Sequence, residues 1–81
     1  MLLGEIVARI WPEQQVDGLA GRPLVLVRTR GGDEVVALDL LGAGPGARVL
    51  VATGEPARHI AGGAPVDAVV TALVGEDTGK D

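Results

Sequence analysis

Five short β-rich runs, a hairpin near the middle and a single short helical segment, all within 81 residues, predict an all-β domain. The pattern suits a small five-stranded OB-like barrel with one short helix, whose closure would remove exposed sheet edges; a small β-sandwich is the competing architecture. The chain is read as one domain over residues 1–75, followed by a polar C-terminal tail at 76–81.

The first strand is read at residues 3–11. Glu5, Val7 and Arg9 share one parity and Gly4, Ile6, Ala8 and Ile10 the other, the mark of a half-buried strand, and Pro12 ends it. Residues 13–23 carry Gly18, Gly21 and Pro23 among polar side chains and read as a loop rather than an element. The runs at 24–30 and 34–39 are separated by Gly31-Gly32-Asp33, which predicts a hairpin. Alternate glycines and Pro45 forbid a strand over 42–46, so a tight loop leads to the fourth strand at 48–53. A short helix is predicted over 55–61, with Pro56 in its first turn and Gly62-Gly63 as its stop, and the fifth strand is placed at 66–74.

Composition removes whole classes of chemistry. There is no Cys, Ser or Asn, and His59 is the only histidine. Disulfides, thiolate nucleophiles, Cys-ligated metals and serine triads are therefore excluded, and no cofactor is expected. The formal charge is −4 and Trp11 is the only aromatic residue, a poor endowment for tracking phosphates or stacking bases. The longest apolar runs fall far short of the roughly 20 residues that span a bilayer, and Glu5 and Arg9 interrupt the opening stretch where a secretory leader would need an apolar core. A soluble, cytoplasmic chain without a nucleic-acid or membrane partner is the expectation. With 47% apolar residues and a mean hydropathy of +0.33, but no disulfide, the chain also invites a second buried surface, that is, homo-oligomerisation.

Few residues qualify as site candidates. Gly42, Gly44 and Gly46 could cradle an anion, but the spacing is G-x-G-x-G and a strand follows, not the helix that a dinucleotide fingerprint requires. A structural loop, or one that approaches another subunit, is the better reading. Asp39 ends an apolar strand just before that loop, where a carboxylate accepts N–H bonds from the residues turning beneath it. Asp67, after Pro65, reads as an anchor at a strand entry. Arg58 on the helix is either solvated or an intersubunit contact, and Trp11 is either a barrel-end plug or an interface anchor. No second acid or base accompanies Asp39, so no catalytic set emerges.

The run VALDLLGAGPG at 36–46, then Val49-Leu50-Val51 and Gly54, then Ala57-Arg58, then PVDA at 65–68, resembles in order and spacing the EutN/CcmL family of bacterial microcompartment vertex proteins. The opening LGEIVA at 3–8 and the segment from Gly18-Leu19 to Arg28 are similar to that family's first two strands, so nearly the whole chain is covered. The resemblance implies an OB-like barrel that forms a homopentamer and caps the vertices of a polyhedral shell in the cytoplasm, against hexameric and trimeric shell proteins. It assigns Asp39, Gly42, Ala43, Gly44 and Gly46 to the family's loop motif, Ala57 and Arg58 to its helix motif, and Pro65 and Asp67 to the entry of the last strand. It further implies that the glycine loop lies near a subunit junction or the axial pore. Three features depart from the pattern: the link at Gly31-Gly32-Asp33 is short, Ala47-Arg48 replaces an aromatic often found before the fourth strand, and the C-terminal tail is short. An OB-type module binding an oligosaccharide or single-stranded nucleic acid is the alternative. If the loop needs backbone angles that other residues resist, Gly44→Val lowers the yield of assembled protein more than Gly79→Val does, as read by size-exclusion chromatography. Equal yields would contradict the loop reading.

Overall fold

The computed structural model describes residues 1–75, and the tail assigned to 76–81 lies outside the described residues. In chain order it contains β1 (Leu2–Ile10), a 3-10 turn (Asp17–Leu19), β2 (Leu24–Thr29), β3 (Glu34–Asp39), β4 (Arg48–Thr53), α1 (Gly54–Ala61) and β5 (Ala68–Leu73). The strands close into a barrel in the order β1-β2-β3-β5-β4, with β4 returning to β1. All pairings are antiparallel except β3 with β5, where Leu38 faces Val69 and Asp39 faces Val70. That is the OB-like barrel, not the sandwich.

β1 is long because it serves two neighbours. From Gly4 opposite Thr29 to Ile10 opposite Leu24 it pairs with β2, while its first half pairs with β4 from Leu2 opposite Val51 to Glu5 opposite Arg48. A register shift between Ile6 and Ala8 bends the strand where it passes from one role to the other, as bulges do at barrel rims. The predicted hairpin closes through Thr29 N–H to the Asp33 carbonyl at 2.8 Å and Gly32 N–H to the Thr29 carbonyl at 2.9 Å.

Apart from Asp39, the buried interior is aliphatic, and it falls into two clusters. Ile6, Val25, Val27, Ala37, Val49, Val51, Ala68 and Val70 fill the barrel, one or two from the inward parity of each strand. Leu24, Leu38, Ala52 and Val69 meet Ala57, Ala61 and Ala64, so the buried face of α1 closes one end. The helix ends where Gly62 takes the left-handed conformation, φ 62° and ψ 43°, that a side chain would resist.

Three details differ from the sequence reading. The stretch 13–23 is not featureless: Leu19 N–H bonds the Val16 carbonyl and Ala20 N–H that of Asp17, both at 3.0 Å, because half-buried Leu19 packs on the helix-end cluster. The fifth strand starts at Ala68 rather than 66, since Val66 N–H turns back to the Ala64 carbonyl at 2.8 Å and only Ala68 comes into register with Thr53. Trp11 does not plug the barrel end; it is 80% exposed, because the alanines of α1 already occupy that place.

Gly4 is the tightest point of the wall. A Cβ there would lie 2.7 Å from the Arg28 carbonyl oxygen and 2.6 Å from Val27 Cγ1, and backbone cannot retreat as a side-chain tip can. Gly4→Ala therefore lowers Tm by roughly 5–15 °C, the cost of forced overpacking in a domain of this size. Thermal unfolding followed by circular dichroism checks it, and an unchanged Tm would show that the strands can part without loss.

Candidate functional site

The loop between β3 and β4 is organised by one carboxylate. Asp39 is the only charged residue among the buried ones described, 2% exposed at the end of β3. Its Oδ1 accepts N–H bonds from Leu41 at 3.2 Å and Gly42 at 3.1 Å, and its Oδ2 accepts one from Gly44 at 3.4 Å. Three donors that would otherwise turn inward unpaired are thus satisfied by a side chain whose burial would be costly without them. The backbone of Asp39 is equally engaged, its N–H bonding the Pro23 carbonyl at 2.9 Å while its position pairs with Val70 of β5.

Beyond the clamp the loop runs back along β1. Gly42, Gly44 and Gly46 all have positive φ, and Ala43 between them packs against the barrel cluster. Gly46 N–H bonds the Ile6 carbonyl at 2.8 Å and Ile6 N–H the Ala47 carbonyl at 2.9 Å, which leads the chain into β4. Gly44 meets two demands at once. Its φ is +75°, and a Cβ would fall 2.7 Å from Nη2 of Arg9, so the missing side chain makes room for a guanidinium.

The remaining candidates gather elsewhere. Ala57 is buried in the helix-end cluster, while Arg58, Pro65 and Asp67 are exposed and line one shallow depression. The Asp67 carbonyl receives Gly54 N–H at 2.9 Å, so the backbone of this residue, not its carboxylate, ties the strand entry to the helix start. His59 sits with Glu55 and Arg58 on the solvent face of α1. No group of acids and His capable of holding a metal ion occurs among the described residues.

Sequence reasoning passed over Arg9 and Arg22. Together with Ile10, Trp11, Pro12 and Pro23 they line a cleft of about 370 Å³ that reaches Asp39 and Gly42. The available signal was the outward parity of β1, which continues through Arg9 to Trp11. The approach of Arg9 to Gly44, however, joins residues 35 positions apart and depends on the barrel topology.

The family model described as ethanolamine utilisation protein EutN/carboxysome matches residues 1–75. The chain is 36% identical over 86 aligned residues to the bacterial microcompartment shell vertex protein PduN of Salmonella typhimurium, covering 93% of this chain and 92% of that one. Among solved structures it is similar to the ethanolamine utilisation protein EutN of Escherichia coli, with a TM-score of 0.84 and 31% identity over 99% of this chain and 93% of that one. It is also similar to the GrpN pentameric microcompartment shell protein of Rhodospirillum rubrum, with a TM-score of 0.84 and 28% identity over 94% and 95%.

Removing the Asp39 carboxylate leaves loop N–H groups without acceptors. Asp39→Ala is expected to cost about 3–5 kcal/mol in urea unfolding. Asp39→Asn, which keeps the shape and one acceptor oxygen, is expected to cost less. A loss below about 0.5 kcal/mol for the alanine variant would mean that water replaces the clamp at no cost.

Proposed function

The chain belongs to the EutN/CcmL family, and on that premise we propose that it is a structural, non-catalytic shell protein of a bacterial microcompartment, whose homopentamer caps the vertices of the polyhedral shell in the cytoplasm. The observation that supports assembly most strongly is the placement of exposed apolar residues. Trp11, at the end of β1, and Leu40 and Leu41, beside the cleft, are exposed. Near the start of the same strand Met1 and Leu73 are exposed, Met1 beside Thr71 and Leu73 opposite Val49, which itself pairs with Gly4.

A ring is built from heterologous contacts, in which one patch of each subunit meets a different patch of the next. Two separate apolar patches at opposite ends of one strand meet that requirement, whereas a twofold dimer needs only one. Geometry then supplies the role: six-sided tiles alone make flat sheets, and a closed shell needs twelve fivefold points. Hexameric and trimeric shell proteins are the natural neighbours of such a pentamer. A role without catalysis agrees with a chain that has no Cys or Ser and one solvent-facing histidine.

Native mass spectrometry tests the ring. The expected species is a pentamer near 41 kDa from the 8.2 kDa chain. A protein that stays monomeric or dimeric at micromolar concentration would overturn the reading.

A further inference from the structure

We propose that the cleft between Arg9 and Arg22 is the receiving half of the joint between subunits, and that it takes a carboxylate-bearing edge of a second copy of this chain, which closes over Trp11. The proposal rests on the ring described above and adds which surface is covered and by what chemistry.

Three observations carry it. First, the guanidinium of Arg9 lies over Gly44, where a Cβ would collide with Nη2 at 2.7 Å, yet neither Arg9 nor Arg22 forms an ion pair or side-chain hydrogen bond among the described residues. Second, the one carboxylate that lines the cleft, Asp39, is turned to the N–H groups of Leu41, Gly42 and Gly44 and forms no ion pair with either arginine. Third, the cleft's apolar lining includes Ile10, Trp11, Pro12 and Pro23, with Trp11 80% exposed, and it borders Leu40 and Leu41, each 50% exposed. Two cations in an apolar frame fit a partner that brings both carboxylates and apolar surface, since an ion pair excluded from water is strong only when it is fully partnered.

A second copy offers both. The chain is acidic overall, and Asp33, Glu55 and Asp67 are exposed and make no ion pair among the described residues. Two guanidinium groups on a chain of charge −4 are too few to hold a polyanion such as a nucleic acid.

The test uses the native full-length chain without a label, because Trp11 is its only aromatic residue and all indole emission comes from the cleft. In the assembled protein the emission is expected to be blue-shifted, with an acrylamide quenching constant several-fold below that of the urea-denatured chain. The double variant Arg9→Gln, Arg22→Gln is expected to assemble only at a protein concentration about tenfold higher or more, with folding verified by circular dichroism. A pentamer in which Trp11 is as quenchable as in the denatured chain would overturn the cleft assignment while leaving the ring intact. Assembly of the double variant at the wild-type concentration would overturn the role of the arginines. Protection that appears only after a hexameric shell protein is added would assign the cleft to that partner instead, and absence of any assembly would overturn the ring together with its joint.

Discussion

Asp39, through its backbone and its carboxylate, ties together three parts of the chain that would otherwise be independent. It ends β3 at the two-residue parallel pairing with β5 that closes the barrel, its N–H reaches the Pro23 carbonyl at the entry to β2, and its oxygens hold the turn from Leu41 to Gly44. Closure of the sheet and the course of the following loop are thus set at one residue. Because the loop is fixed there, Gly46 and Ala47 arrive in register beside Ile6, and β4 starts where it can pair with β1. A buried carboxylate is an expensive device in an aliphatic core, and it is stable here because its oxygens meet three backbone donors.

Much of the barrel could be read from alternation and punctuation. β4 falls on the residues expected of it, and β1, β2, β3 and α1 agree within one residue at each end, because parity, Gly31-Gly32-Asp33 and Gly62-Gly63 are local signals. The errors came where a distant neighbour decides. Whether residues 66 and 67 join β5 depends on where Thr53 stands, and whether residues 17–19 coil depends on Leu19 finding the helix-end cluster. Trp11 could not be placed by its own neighbours in sequence, since its exposure follows from Ala57 and Ala61 filling the end of the barrel. In the candidate site, Asp39 and its glycines announce themselves as a carboxylate before a G-x-G-x-G loop, whereas Arg9 owes its position to Gly44 and was invisible as a partner.

The composition now has a physical setting. A barrel filled by Val, Ile, Leu and Ala leaves large apolar side chains at Met1, Trp11, Leu40, Leu41 and Leu73 facing outward, more than a small domain hides by itself. Each subunit of a ring gains two interfaces, so such residues can be covered without enlarging the fold. Arginines contribute to the wall as well: Glu5 lies in register with Arg48 on one side and Arg28 on the other, and Arg28 bonds Glu34 at 2.9 Å, so charges alternate across β4, β1, β2 and β3. At surface exposure this row adds little stability, but it keeps the outward faces of those strands from pairing apolar to apolar in the wrong register.

The claim on which the account turns is geometric: this small barrel supplies the fivefold corners of a closed shell. Electron microscopy of shells assembled from hexameric tiles with and without this chain tests it most directly. The account predicts closed polyhedra with fivefold density at their vertices when the chain is present, and open sheets or tubes when it is absent. Closed shells that form equally well without it, or that exclude it from their vertices, would contradict the account.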